Sequence, residues 1–296
     1  MSSLEYFLVV VTRVRNENMM LRSFVPYYLS QGIDKIFLLD DSSTEPFDEE
    51  IQNNPKVEIR PVKNMRNGSP EWADVVHCLH YLKKRTKWVI TVDCDEFIVT
   101  RRNKDKTIRQ EVEDTFANVS CVKIPWVMFT RNGRKENPDD IILDTTMRWN
   151  HDNKHRHPNH SKKFNCRYDM IEVKCIWKIA DYAQMHVHHP YNGKHITSDA
   201  ICVDGVDGNP DGVELWRGSK YDKLRESNIE RAYFTCNHYR IVSEEHARSK
   251  CNVDSKTLYT EKVEANILEN ALLADYPEIE DSLLKAKYEK IKTGNN

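Results

Sequence analysis

The residues best suited to chemistry in this sequence are the two carboxylates of Asp93–Asp95, which one cysteine separates. They follow an apolar run, Trp88–Val92, that has the composition of a buried strand. Side chains at positions i and i+2 of an extended strand point the same way, so Asp93 and Asp95 could bind one cation while Cys94 faces the core. Oxygen ligands of this kind suit Mg²⁺ or Mn²⁺ and, through the ion, a diphosphate.

An Asp-x-Asp pattern alone is weak evidence, because solvated acidic strand ends produce it as well. Its context comes from apolar strands that alternate with amphipathic helices in the first hundred residues. The predicted strands are Tyr6–Thr12, Lys35–Leu39, Val57–Val62 and Trp88–Val92, and the predicted helices are Met20–Gln31 and Trp72–Lys84. This order predicts an α/β fold with a Rossmann-like, mostly parallel sheet flanked by helices. Such sheets bind ligands beyond the carboxyl ends of their strands, where the acidic pair lies.

Composition narrows the class of protein. The 296 residues are 39% hydrophobic and 30% charged, with a formal net charge of -2, so no overall field favours nucleic acid or anionic membrane. The run Phe7–Val11 is shorter than the roughly 20 residues that span a bilayer, and we expect no transmembrane segment. The eight cysteines include no Cys-x-x-Cys pair, which indicates reduced thiols in a cytoplasmic protein. The lysine- and asparagine-rich composition suggests a microbial enzyme or one from a large DNA virus.

Three histidines could complete a metal shell. His186 and His188 lie at positions i and i+2 near the end of a predicted strand, and His238 is the competing candidate. Imidazole is a competent ligand for Mn²⁺-like ions, and the sequence leaves the choice among the three open. The histidines of residues 151–160 lie among Lys, Arg, Asn and Pro without cysteine partners, which favours a solvated loop over a zinc site.

Several segments, in order along the chain, resemble the family 2-like and family 92-like (DUF23-related) glycosyltransferases. They are Val11–Glu17, Phe24–Tyr28, Gly32–Ile36, Asp40–Thr44, Asp93–Phe97, Trp126–Phe129, Lys174–Lys178, His186, His188, His238–Arg240, Ser243–Glu245 and Lys250. The ordered combination is far more specific than any one segment. Two positions depart from the family pattern, because Glu45 replaces an aspartate and Thr130 replaces a glycine. The resemblance implies a GT-A type fold, a nucleoside-diphosphate sugar donor, most simply a UDP-sugar, and Mn²⁺ or Mg²⁺.

The resemblance also implies roles for individual residues. Those expected at the nucleotide-sugar site are Thr12, Arg15, Asn16, Glu17, Asp40, Asp93 and Lys174. Asp40 would lie at the base or ribose, and Lys174 would meet a phosphate. Asp93 and Asp95 would hold the ribose, the metal and the diphosphate.

The expected reaction is inverting transfer of a hexose or pentose to a hydroxyl of a glycan or protein acceptor. A cation would neutralise charge on the departing diphosphate while a carboxylate deprotonates the acceptor hydroxyl. The candidates for this base are Asp207, Asp211 and Glu214, of which Glu214 is preferred. Three aromatic residues could stack on a sugar or belong to the core: Trp126, Trp149 and Trp216.

We predict a glycosyltransferase domain over residues 1–242, with a nucleotide-binding half to residue 100 and an acceptor-side half from 101, and a C-terminal helical extension over 243–296. Two other functions fit the Asp-x-Asp pair. One is a nucleotidyltransferase or phosphohydrolase, against which the Asn16–Glu17 segment and the missing Walker-type glycine loop argue. The other is a noncatalytic carbohydrate-binding protein, which would have no need of a diphosphate-metal site.

Overall fold

The computed structural model describes residues 4–62, 73–153, 170–185, 188–191, 200–204, 214–216, 220–222, 224–250 and 272–294. These residues form a mixed α/β fold in which helices flank one large sheet of 11 strands. The predicted fold class, an α/β protein with a mostly parallel sheet, is confirmed.

The first hundred residues alternate strands and helices as the sequence predicts. The elements are β1 (Tyr6–Val14), α1 (Asn18–Ser30), β2 (Lys35–Asp40), α2 (Glu49–Gln52), β3 (Val57–Pro61), α3 (Ala73–Leu82), β4 (Thr86–Thr91) and β5 (Glu96–Thr100). Within the sheet the order is β3-β2-β1-β4, and all three pairings are parallel. β1 is central because its apolar run is buried on both faces, as parallel strands require.

Gly32 ends α1 and lets the chain turn into β2. Its φ of 82° lies in the left-handed region that only glycine adopts without strain. A β-carbon at this position would lie 2.7 Å from Cβ of Arg109, so the close approach of that residue also requires glycine. Asp34 then anchors the start of β1, where its carboxylate accepts the backbone N–H groups of Phe7 and Leu8.

The second part of the chain mixes parallel and antiparallel pairings. Its elements are α4 (Ile108–Asp114), β6 (Cys121–Met128), α5 (Ile141–Asp144), β7 (Met147–Arg148), β8 (Met170–Lys178), a 3₁₀ turn (Ile179–Asp181), β9 (Gln184–Met185), β10 (Pro190–Tyr191), β11 (Ala200–Asp204), β12 (Glu214–Trp216), β13 (Lys220–Asp222), α6 (Glu226–Arg231), β14 (Phe234–His238), β15 (Ile279–Glu280) and α7 (Leu283–Lys292). β8 lies between β4 and β6 and is antiparallel to both. β14 pairs with β5 in an antiparallel register that places His238 opposite Glu96. That register determines the candidate site.

The C-terminal segment packs against the rest of the fold. β15 pairs with β7, and α7 contacts α1 and α5. The buried carboxylate of Asp281 accepts hydrogen bonds from Arg101 and Arg148. Residues 244–250 and α7 are helical as predicted. Ile279–Glu280 instead form a strand, because they pair with Met147–Arg148, and Pro277 before them has no N–H to continue a helix. The division of the chain into domains stays a prediction.

Candidate functional site

Three polar segments meet at the carboxyl ends of the parallel strands. β1 pairs with β2 as far as Val14 and Asp40, and with β4 as far as Val11 and Thr91. The segments that follow these strands therefore lie side by side, at the edge where open α/β sheets bind ligands. They are residues 15–17, 41–44 and 92–95.

Asn16 closes the loops after β1 and β2 onto each other. Its φ of 54° lies in the left-handed region. Its backbone N–H donates to Oγ of Ser43 at 3.1 Å, and its Oδ1 accepts the N–H of Thr44 at 2.8 Å. Oδ1 of Asp40 accepts the N–H of Ser43 at 2.9 Å. Asn16 and Asp40 thus shape the loops, and their contact with a nucleotide stays a prediction.

Thr12 and Arg15 bring unused hydrogen-bonding atoms to the same edge. Thr12 is 2% exposed. Within the described part of the chain, neither its Oγ1 nor the buried Nε of Arg15 has a hydrogen-bond partner. Buried polar atoms of folded proteins are nearly always paired, so these two are suited to a ligand.

The triplet Asp93–Asp95 forms a turn, and the extended geometry predicted for it is wrong. β4 ends at Thr91, and the N–H of Glu96 donates to the carbonyl of Asp93 at 3.1 Å. The turn arises because the Glu96 carboxylate also accepts the N–H of Asp93 at 2.7 Å. The Asp93 side chain is consequently 55% exposed and that of Asp95 only 7%. Cys94 faces the core as predicted.

Lys174 of β8 joins Asp93 to Glu96. Its Nζ donates to Oδ2 of Asp93 at 2.9 Å and lies 3.1 Å from Oε2 of Glu96. Burial by itself would lower the pKa of Lys174, but the Asp93 and Glu96 carboxylates raise that pKa well above its usual range. Lys174 was predicted to meet a phosphate, and in this structure it is the counter-ion of two carboxylates.

A second lysine neutralises Asp95. Nζ of Lys250 donates to Oδ2 of Asp95 at 2.6 Å, and Oδ1 of Asp95 lies 3.6 Å from Nε2 of His238. Burial would raise the pKa of Asp95, but Lys250 and then His238 hold that pKa well below its usual range. Asp95 is therefore ionised and already partnered.

Asp95, Glu96 and His238 form a candidate metal centre. One ligand atom from each lies within 4.8 Å of the others, and all three residues are buried. Among the described residues, Oδ1 of Asp95 and Oε1 of Glu96 have no hydrogen-bond partner. Burial, with the neighbouring Asp93 and Asp95 carboxylates, raises the pKa of Glu96 well above its usual range, an effect that a bound cation would oppose. The two carboxylates fit Mn²⁺ or Mg²⁺, and the imidazole favours Mn²⁺ of these two ions.

The family model described as "Glycosyltransferase family 92" matches residues 7–202, more than half of the chain. The chain belongs to glycosyltransferase family 92. Sequence comparison with curated proteins produces no match. The resemblance drawn from the motifs is confirmed, and glycosyl transfer is favoured over the nucleotidyltransferase and phosphohydrolase alternative.

Solved structures resemble this family 92 enzyme only distantly. The WbbM bifunctional glycosyltransferase is 9% identical, with a TM-score of 0.25, and the match covers 42% of this chain but only 23% of WbbM. HddC from Yersinia pseudotuberculosis is 13% identical, with a TM-score of 0.32, over 77% of this chain and 97% of HddC. The 4-diphosphocytidyl-2C-methyl-D-erythritol synthase from Anaerococcus prevotii is 11% identical, with a TM-score of 0.29, over 98% and 97% of the two chains. Similarity this low carries no argument about substrates.

Of the three candidate histidines of the family 92 enzyme, the structure places His238 with the carboxylates. His188 instead has Nδ1 2.9 Å from the carbonyl of Val173 and Nε2 3.7 Å from Glu172. Both histidine rings contact Trp126, with centroid distances of 4.3 Å for His238 and 5.5 Å for His188. His186 lies outside the described residues. Ligation by any of the three stays a prediction.

The candidates for the catalytic base remain untested. Asp207 and Asp211 lie outside the described residues. Glu214 begins β12, where its backbone pairs with Cys202 of β11, and its side chain is not described. Trp216 ends the same strand, and Trp149 packs against Tyr276 in a buried position.

Sequence reasoning missed Glu96 and Lys250 as members of the site. Glu96 directly follows the acidic pair, and this adjacency was the signal for it. Lys250 belongs to the ordered segments that resemble the family, but no neighbouring residue links it to Asp95. No helix among the described residues is both long and apolar enough to cross a membrane.

Proposed function

We propose that this glycosyltransferase moves a hexose or pentose from a nucleoside-diphosphate sugar, most simply a UDP-sugar, to a hydroxyl of a glycan or protein acceptor. The reaction would depend on Mn²⁺ or Mg²⁺ and invert the anomeric centre. The observation that carries this proposal is the buried set of Asp95, Glu96 and His238 at the strand ends, beside the unused donors of Thr12 and Arg15.

Asp95, Glu96 and His238 would hold the cation, and the more exposed Asp93 would face the donor. When bound, the cation would supply positive charge to the departing diphosphate. The loops shaped by Asn16 and Asp40 would receive the nucleoside. Lys174 would keep the Asp93–Glu96 turn rigid, because one buried ammonium contacts both carboxylates.

Inversion requires a base on the face of the sugar opposite the diphosphate. Such a carboxylate would accept the proton of the acceptor hydroxyl as its oxygen attacks the anomeric carbon. Glu214 is our first choice and Asp207 and Asp211 are the alternatives, because all three carboxylates lie in the segment between His188 and His238.

A thermal-shift screen with UDP-, GDP- and dTDP-sugars, each with and without Mn²⁺, tests the proposal. Ligand at 100 times its Kd should stabilise the protein by about 2.7 kcal/mol, and we expect the largest shift for one UDP-sugar with Mn²⁺. Asp95→Asn should abolish the Mn²⁺-dependent part, whereas Asp48→Asn, at an exposed ion pair with Arg22, should not. A protein that no nucleotide sugar stabilises, with or without metal, would contradict the proposed donor.

Product analysis then tests the stereochemistry. Proton NMR of the first product formed from an α-linked donor should show a β-linkage. A product that retains the donor configuration would rule out the single displacement and the proposed role of the base.

A further inference from the structure

Two lysines, one buried and one half-buried, already neutralise the carboxylates of the candidate metal centre. Lys174 contacts Asp93 and Glu96, and Lys250 contacts Asp95. A divalent cation at Asp95 would meet the ammonium of Lys250 within a few ångströms, and charges of like sign repel strongly in a partly desolvated site. This repulsion favours the withdrawal of one of the two lysines when a cation binds the unpartnered Oδ1 of Asp95.

The contacts of the two lysines differ in a way that identifies which one withdraws. Lys174 has a side-chain exposure of 2%, binds two carboxylates and lies on β8 in the middle of the sheet. Lys250 has a side-chain exposure of 28% and contacts one carboxylate, with the carbonyl of Arg240 at 3.3 Å as a second acceptor. Release of Lys250 breaks its ion pair with Asp95, weakens its electrostatic attraction to Glu17, and returns a partly exposed ammonium toward water.

A packed helix fixes the backbone of Lys250, so only its side chain needs to move when it changes partners. Residues 244–250 are helical, and Ser243, His246 and Ala247 are buried, at the spacing that places them on the same helix face as Lys250. The ammonium therefore stays near Asp95 after it is displaced. Oxygens of a diphosphate bound to the same cation would lie within a few ångströms of the place it leaves.

We propose that Lys250 is an exchangeable counter-ion, which neutralises Asp95 in the cation-free enzyme and transfers to the donor diphosphate when a divalent cation takes Asp95. This inference rests on the proposed function, since it needs both the cation and the diphosphate. It predicts opposite effects of Lys250 on the two ligands: competition with the metal and attraction for the nucleotide.

Binding measurements on the full chain test the exchange. Electron paramagnetic resonance measures the free Mn²⁺ left by the wild type, by Lys250→Met and by a control, Lys292→Met. Lys292 is a half-exposed lysine that pairs with Asp140. Lys250→Met should bind Mn²⁺ alone about tenfold tighter or more, equal to about 1.4 kcal/mol. At saturating Mn²⁺ its affinity for UDP should be at least about tenfold weaker. Lys292→Met should match the wild type in both titrations.

A second measurement uses the unaltered protein. The rate at which acetic anhydride modifies each lysine is measured by mass spectrometry with and without Mn²⁺. Mn²⁺ alone should accelerate modification of Lys250 and leave Lys174 protected, whereas addition of UDP should protect Lys250 again.

The outcomes separate this inference from the proposed function. If the wild type binds Mn²⁺ and UDP but Lys250→Met binds Mn²⁺ no tighter, and Mn²⁺ leaves Lys250 modification unchanged, the counter-ion exchange is overturned and the donor proposal stands. If neither the wild type nor Lys250→Met binds Mn²⁺, metal dependence fails and the exchange fails with it.

Discussion

Asp95, in the turn before β5, lies beside His238 at the end of β14, with Oδ1 of the aspartate 3.6 Å from Nε2 of the histidine. This separation is longer than a hydrogen bond and short enough for both atoms to bind one cation. Burial lowers the pKa of His238, although Asp95 opposes that shift, and the lower pKa favours the neutral form that binds metals. The relationship makes His238 the histidine to test first.

His238→Ala should weaken Mn²⁺ binding by at least about 10- to 100-fold, since even loss of a residue that only orients a ligand has an effect of this size. His188→Ala is the matched control, because its ring also contacts Trp126 but lies against Val173 and Glu172. Titration of Mn²⁺ into each folded variant measures the effect. An equal loss in both variants would place His188 in the metal shell as well.

Lys174→Met should lower the free energy of unfolding by about 3–5 kcal/mol, because it removes the buried ammonium that contacts both Asp93 and Glu96. Urea denaturation at pH 7.5 measures the loss. Lys178→Met, on the same strand, removes an ammonium that donates to the carbonyl of Ala117 and lies over the Trp88 ring, and it should have a much smaller effect. Equal losses would show that the Lys174 ion pairs add nothing to stability.

His246 should make stability fall as the pH is lowered. Burial, reinforced by nearby Lys250 and opposed by Asp95, lowers the pKa of His246 from 6.5 to about 3. Because the folded pKa is below the unfolded one, the stabilisation is complete above pH 6.5 and is lost as the pH falls toward 3.

The slope that this histidine adds should be about 1.4 kcal/mol per pH unit between pH 6 and 4. Urea denaturation at a series of pH values should show a shallower slope for His246→Gln than for the wild type. His80→Gln, at an exposed position of α3, should leave the slope unchanged. Identical slopes in His246→Gln and the wild type would mean that His246 titrates normally in the folded protein.

Gly32→Ala should destabilise the protein by about 1–3 kcal/mol, because φ is 82° and the new β-carbon would meet Arg109. Gly133 is the matched comparison, since its φ is 71° but no atom lies within 4 Å of the added carbon. Gly133→Ala should therefore lose only the stability that the left-handed backbone conformation costs, with no added steric contact. Thermal unfolding of both variants measures the difference, and equal losses would show that Arg109 yields without strain.

Local sequence patterns were sufficient for the first half of the fold. The apolar runs of β1, β2 and β4 and the helical spacing of α1 need no distant partner to be recognised, and they lie where they were predicted. The triplet Asp93–Asp95 was also recognised from its neighbouring residues, since it directly follows an apolar strand. The turn that it forms was not predicted, because that turn depends on the contacts of Asp93 and Lys174 with the Glu96 carboxylate.

The sequence by itself determined the fold class, the family and the strand end at which the candidate site lies, since periodicity and ordered motifs are properties of neighbouring residues. Only the tertiary structure decided which side chains meet there. Lys250 reaches Asp95 across 155 residues, and Lys174 reaches Asp93 across 81. His238 lies beside Glu96 because β14 pairs with β5 in one register, and that register results from the packing of the whole sheet.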